Sequence, residues 1–381
     1  MARAAVAALL SVSPANQTYL AGFRALLYSR PILLVLHPDA VELVVPGLEE
    51  GHARDEATVD RIHVYYEHPE AGDTATPLEC LDRALGSVPR GAAIGIEASS
   101  CPVGVARHLT DAGYALTDLD PALTRMRTVK DDAEVALIAE AARITATGVE
   151  ASLARCGPDV TELDVDGAGT AAVMRSVGRF GIDMTVDLLT MTPSGSVRSA
   201  LPHALSTSRR LGEGDVLIHT RQVGLDGYRA ELERTAFIGT PRDEMLRVFE
   251  AVRAAQRAAI ASVGPGVPCS TVDRAARRIL GDAGLASHAI HRTGHGIGLS
   301  AHEPPYLRYD NDAPLQPGMV ITVEPGVYLR GVGGFRHSDT VLVGPDGPRM
   351  MTSYPTDAES LTLGVVSAAG RRSRRPTGAG R

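Results

Sequence analysis

Residues 294–305, GHGIGLSAHEPP, constrain this chain more than any other stretch. Glycine and proline are too frequent here for a helix, so His295 and His302 sit on extended, close-packed backbone. Histidines held in that way are placed for chemistry, whereas a lone buried histidine is more often a satisfied core residue. A second stretch, residues 317–326 (PGMVITVEPG), ends a β-branched run on Glu324. The run reads as a buried strand. A buried carboxylate is costly unless a cation, a metal or a proton satisfies it, so Glu324 needs a partner.

Acidic residues recur in residues 227–237, GYRAELERTAF. Alternation along a strand puts Arg229, Glu231 and Glu233 on one face and Leu232 and Arg234 on the other. Two like charges on one face mark either a solvent-facing edge strand or a site that converges on a cation. Both readings stand on this stretch alone.

A chain of 381 residues with 44% hydrophobic content can bury two cores, which predicts two domains. No charge-free apolar run reaches the length of a membrane span, so no membrane is expected as partner. The apolar start imitates a short signal peptide, but it flows into residues 13–23, SPANQTYLAGF, and is read as part of the fold. Cys80, Cys101, Cys156 and Cys269 are scattered, without zinc spacing or a disulfide framework. That fits a reducing cytoplasm. The net charge of −7 includes an acid-free tail with five arginines, so the body is more acidic still. An acidic body argues against nucleic acid as partner, and the tail, residues 366–381, reads as disordered and basic.

Strands are predicted over residues 33–45 (two, around His37-Pro38-Asp39), 62–66 and 92–97, and helices over 77–85 and 102–112. Together they predict a small α/β domain over residues 1–124. Residues 130–134, KDDAE, open a long helix whose face is Val135, Ile138, Ala142, Thr145, Val149 and Leu153. Cys156-Gly157-Pro158 stops it. A second helix over 242–263 ends in Gly264-Pro265-Gly266, and a Thr-led helix follows each stop. Such duplication predicts a pseudo-twofold domain over residues 125–365.

The two motifs, GHGIGLSAHEPP and PGMVITVEPGVYL, together resemble the pita-bread family of aminopeptidase P, Xaa-Pro dipeptidase, methionine aminopeptidase and creatinase. The resemblance implies an α+β chain: an amino-terminal α/β domain of creatinase type, then a pseudo-twofold pita-bread catalytic domain. In the metal-dependent members two aspartates, a histidine and two glutamates hold two ions. Those positions fall here on Thr220, Glu231, His295, Glu324 and Ser338. Neutral hydroxyls at Thr220 and Ser338 do not suit a divalent pair, so no metal and no cofactor are expected. One ion on Glu231, His295 and Glu324 is the arrangement left open.

The run Leu232 to Thr235 is similar to the metal-free creatinase branch. That likeness implies Glu233 and Glu324 gripping a cationic substrate, His203 handling the proton, and His295 and His302 as further catalytic residues. Glu231, Arg336 and Tyr306 are then substrate-binding, with Tyr28 and Arg30 reaching the partner subunit of a homodimer with a shared site. The expectation is a metal-independent hydrolase cleaving a C–N bond of a small guanidino, amidine or amide substrate. Its rivals are a metal-dependent Xaa-Pro dipeptidase and a non-catalytic peptide-binding module. The resemblance implies that residues 333–339 close the site, with Arg336 common to both branches; the alternative is a tight turn before an edge strand over 340–343, with His337 exposed, and His288 and His291 read as packing residues.

Overall fold

Alternating apolar runs in the first 127 residues become one face of a mixed sheet each time a helix covers them. The structure, a computed structural model, describes residues 5–24, 26, 28–178 and 183–364. The basic tail lies outside the described residues. Contacts divide the chain into residues 1–127 and 128–381.

The first unit runs β1 (Ala8–Ser11), α1 (Pro14–Ala21), β2 (Leu33–Leu36), β3 (Val41–Pro46), α2 (Glu50–Glu56), β4 (Arg61–Tyr65), α3 (Pro77–Ala84), β5 (Ala93–Ile96), α4 (Val103–Asp111), β6 (Ala115–Asp118) and α5 (Asp120–Thr128). Its sheet order is β4-β3-β2-β1-β5-β6, antiparallel at β1–β2 and β2–β3 and parallel elsewhere. Strand alternation divides the apolar side chains: Leu33, Val35 and Val44 join one core, and Leu34, Leu43 and Val45 join another. Helix α3 starts where Thr76 and Glu79 form a capping box with Pro77 in the first turn.

The second unit runs α6 (Asp132–Arg155), α7 (Glu162–Val177), β7 (Val186–Met191), α8 (Gly195–Arg198), β8 (Val216–Leu225), β9 (Tyr228–Ile238), α9 (Asp243–Ala261), α10 (Cys269–Asp282), β10 (Gly294–Gly296), β11 (Glu303–Leu307), β12 (Val320–Val323), β13 (Gly326–Leu329), β14 (Gly333–Arg336), β15 (Ser338–Gly344), β16 (Gly347–Met350) and β17 (Thr362–Leu363). Asp131 caps α6 with Glu134, and Thr161 caps α7 with Asp164. The parallel expectation for α10 fails: Pro268 occupies its cap and Thr271 lies inside the helix. Each half nevertheless delivers a packed helix pair, α6–α7 and α9–α10, next to strands of one nine-stranded sheet.

The main path of that sheet is β11-β10-β12-β15-β9-β8-β7. Strand β9 is therefore interior, flanked by β8 and β15, so of the two readings open for residues 227–237 the solvent-facing edge strand falls. Strand β15 is interior as well, between β12 and β9, so the alternative of an edge strand after Arg336 falls. Its neighbour His337 is fully buried, edge-on to Phe249, because the sheet covers it on its way into β15. On the helix side of β8, Arg221 is buried and donates to Ser152 Oγ and to the Asp166 carbonyl, each at 3.1 Å. Gly148 and Gly169 leave room for it, since a Cβ on either would overlap the Arg221 side chain.

Candidate active site

Strand β9 supplies the floor of a cavity of about 840 Å³ in the second unit. Glu231 and Glu233 face this cavity while Leu232 between them enters the core. Opposite Glu233 on the two flanking strands stand Thr220 and Ser338. Thr220 donates to Glu233 Oε1 and Ser338 to Glu231 Oε1, both at 2.7 Å, and Gln222 Nε2 donates to Glu231 Oε2 at 2.6 Å. Burial and the nearby Glu324 raise the Glu231 carboxyl above its ordinary range.

Arg336, at the end of β14, makes a two-pronged pair with Glu233: Nε donates to Oε2, and Nη2 to Oε1 at 2.7 Å. Its Nη1 donates to Tyr328 Oη at 2.9 Å, which His291 Nε2 also meets at 2.9 Å. Burial disfavours the Arg336 charge, but Glu233 overrides it and holds the guanidinium well above its ordinary pKa. This corrects the role expected of Glu233. Both of its oxygens are engaged by Arg336, so a substrate cation would have to break an internal bidentate pair. Arg336 is correspondingly the partner of Glu233 in the cavity wall.

His295 lies on β10 between β11 and β12. A Cβ on Gly294 would overlap the Thr322 carbonyl and one on Gly296 the Pro304 carbonyl, so the flanking glycines let three backbones close around the imidazole. Nδ1–H donates to the Gly296 carbonyl at 2.9 Å, and Nε2 faces Glu324 Oε1 at 3.2 Å. Burial alone lowers the His295 pKa, but the Glu324 carboxylate reverses the sign and raises it to about 9. Glu324 is held at about 2: burial raises it, and His295 with Arg336 more than offsets this. His302 stacks on His295, with centroids 3.8 Å apart. Although the residue is exposed, desolvation on its stacked side and the His295 charge push it down to about 4.

His203 also lines the cavity, on the segment between α8 and β8. That segment is fastened by buried Glu162 of α7. Its Oε1 accepts from Ser194 N (2.9 Å) and Ser194 Oγ (2.7 Å), and its Oε2 from Thr207 N (2.8 Å), Thr207 Oγ1 (3.1 Å) and Arg198 Nη2 (3.1 Å). Burial would raise the Glu162 carboxyl, but these donors hold it below the usual carboxylate range.

The structure thus gathers His203, Glu231, Glu233, Glu324, His295, His302 and Arg336 in or around one cavity. Tyr306 serves as a platform, its ring 4.4 Å from the Arg292 guanidinium. Tyr28 and Arg30 belong to the first unit, where Arg30 is bonded to Glu67 at 2.8 Å and Tyr28 is exposed. Sequence reasoning missed Glu162, Arg292 and Tyr328 and gave His291 a packing role. His291 and Arg292 precede the glycine motif without any spacing that singles them out. Glu162 resembles an ordinary first-turn acid, and only the fold brings the 194–207 segment to it.

A family pair of metal ions does not fit these residues. Thr220 and Ser338 use their hydroxyls as donors to carboxylates, and Arg336 occupies Glu233. A single ion does fit. Glu231, His295 and His302 bring ligand atoms within 4.8 Å of one another, and Glu324 adjoins His295 Nε2. That buried nitrogen has no hydrogen-bond partner among the described residues, and the Nδ1–H bond to a carbonyl is how a ligating imidazole is oriented.

Such a fold and floor define a pita-bread hydrolase. Residues 136–345 match Metallopeptidase family M24, and residues 1–129 match the Creatinase/Prolidase N-terminal domain. The chain belongs to metallopeptidase family M24. It is 33% identical to the putative dipeptidase YkvY of Bacillus subtilis (strain 168), covering 90% of this chain and 92% of that one. The Xaa-Pro dipeptidase of Pyrococcus horikoshii is 27% identical, over 84% and 86%. The structure of dipeptidase PepE from Mycobacterium ulcerans superposes with a TM-score of 0.82 at 30% identity, over 96% and 95%. These relatives overturn the expected creatinase-like, metal-independent cleavage of a guanidino, amidine or amide substrate: the relatives are dipeptidases, and Glu233 is already paired within the chain. The chain is a peptidase-type hydrolase. Among the described residues no helix is long and apolar enough to cross a membrane.

Proposed function

We propose that the chain hydrolyses dipeptides, Xaa-Pro dipeptides being the first class to assay, with one divalent ion in place of the family's two. The observation that carries this reading is His295, whose buried Nε2 faces the acidic floor in a chain that aligns over 90% of its length with a putative dipeptidase. Glu231, His295 and Glu324 would hold the ion, which supplies Lewis-acid activation of water and of the peptide carbonyl. His295 must give up its Nε2 proton to act as a ligand. The proton of the attacking water would pass to an imidazole of the cavity wall, His203. His203 and His302 line the path by which a proton reaches the leaving nitrogen as the C–N bond breaks. The test is turnover of Ala-Pro and Ala-Leu after loading with Mn, Co or Zn, compared with chelated protein. Absence of turnover with every peptide and metal would remove the reading.

Tyr28 and Arg30 enter the same proposal as residues of a homodimer with a shared site, Tyr28 being 82% exposed on the first unit. Arg30→Ala and His203→Ala, each impaired alone, should recover about a quarter of full activity when mixed and exchanged. No recovery in confirmed heterodimers removes the sharing. The free cysteines support a reducing, cytoplasmic setting.

A further inference from the structure

Three glutamates converge on the floor of the cavity. One carboxylate oxygen from each of Glu231, Glu233 and Glu324 lies within 4.8 Å of the other two, and all three residues are buried. Like charges this close, out of water, repel strongly unless cations stand beside them. Three such oxygens are also what a hard divalent ion takes. The chain supplies a cation of its own at this place. Arg336, 3% exposed, engages its whole guanidinium there. Nε and Nη2 take the two oxygens of Glu233, and Nη2 also reaches Thr220 Oγ1 at 3.2 Å. Nη1 donates to Tyr328 Oη at 2.9 Å and to the Pro202 carbonyl at 3.3 Å.

A free ion can use Glu233 only by displacing this guanidinium. Being tethered beside the carboxylate and held by a two-pronged pair, Arg336 competes at an effective concentration that an ion in solution does not match. Thr220 closes the same circuit, accepting from Arg336 and donating to Glu233 at 2.7 Å. The neutral hydroxyl that serves poorly as an anionic ligand is thus well matched to a guanidinium. The other side of the floor is different. His295 Nε2 has no hydrogen-bond partner among the described residues and stands 3.2 Å from Glu324 Oε1, so that side is open to an exchangeable ion.

We infer that Arg336 is the resident cation of a second divalent site made by Glu231, Glu233 and Glu324, and that it limits this floor to one exchangeable ion. The inference rests on the one-ion reading and deepens it, because it gives the reason the second place is closed.

The experiment titrates the metal-free full chain with Mn(II) by calorimetry, with elemental analysis after gel filtration, in wild type, R336A and R336A/E233T. Circular dichroism confirms folding. Wild type should saturate at about one equivalent and R336A at about two, and the double variant, which lacks both the guanidinium and Glu233, should return to about one. In R336A, methylguanidinium should compete with the added ion and leave the first untouched. R336K keeps a charge without the fork, and its second ion should bind roughly ten-fold more weakly than that of R336A. An R336A stoichiometry equal to that of wild type, or a gain that persists in the double variant, overturns the role of Arg336 and leaves the one-ion reading standing. Two equivalents in wild type overturn both. Wild type that binds no ion removes the one-ion reading, and this inference falls with it. Should R336A not fold in metal-free buffer, refolding yield decides: millimolar Mn(II) or methylguanidinium should restore it, and restoration by neither overturns the inference.

Discussion

Arg336 donates to both carboxylate oxygens of Glu233, and the two side chains are only 4% and 2% exposed. Strand β14 brings the guanidinium and strand β9 the carboxylate, so the pair ties the small two-stranded sheet to the floor of the cavity.

Removing one member of this pair should cost much more than removing both. Arg336→Met leaves a buried carboxylate without its counter-charge, and a loss of about 3–5 kcal/mol is expected. Arg336→Met combined with Glu233→Thr should recover a large part of it. Urea denaturation of the two single variants and the double variant measures the coupling.

Metal stoichiometry should follow the hydroxyls. Wild type is expected to bind about one equivalent of Mn or Co at saturation, since three acidic or imidazole ligands suffice for one ion. Thr220→Asp, Glu231→Asp, Glu233→Thr and Ser338→Glu together recreate the acidic set, and binding should rise towards two equivalents. Elemental analysis after gel filtration reads both numbers.

Glu162 should govern the His203 segment and part of the acid stability. Its pKa is lowered in the folded chain, so its contribution is present above the unfolded value of about 4.5 and is lost as pH falls below it. Glu162→Gln should therefore be less stable at neutral pH, by about 1–3 kcal/mol for the weakened buried bonds. It should also show a flatter fall in stability below pH 4.5. Thermal melts from pH 3 to 7 check the slope, and kcat should drop if His203 loses its position.

Gly169→Ala tests the glycine cradle under β8. The added methyl would meet Ser152 Oγ, the Arg221 guanidinium and the Gly148 carbonyl, and backbone cannot yield cheaply. A loss of about 1–3 kcal/mol is expected. An unchanged melting temperature would show that α6 and α7 have slack there.

Much of the fold was legible because local signals agree with tertiary ones. Thr76 with Glu79, Asp131 with Glu134, and Cys156-Gly157-Pro158 mark helix ends by chemistry that needs no distant partner. Glu231, Glu233, His295 and Glu324 could be picked out because charges on apolar strands are conspicuous. Pairing was not legible. Whether β9 and β15 were edges depended on strands far away in sequence, and so did the burial of His337. The same blindness misassigned Glu233. Its partner Arg336 is 103 residues away, and a carboxylate already satisfied looks, in sequence, the same as one waiting for a substrate.

The charges on the floor bear on when the protein can mature. Arg336 and protonated His295 set two positive groups among Glu231, Glu233 and Glu324, so the acidic cluster does not depend on an outside cation to hold together. On the proposed one-ion reading, folding and metal acquisition would be separate events: finished chains would accumulate under metal scarcity and be switched on later, as the cation exchanges for the proton on His295.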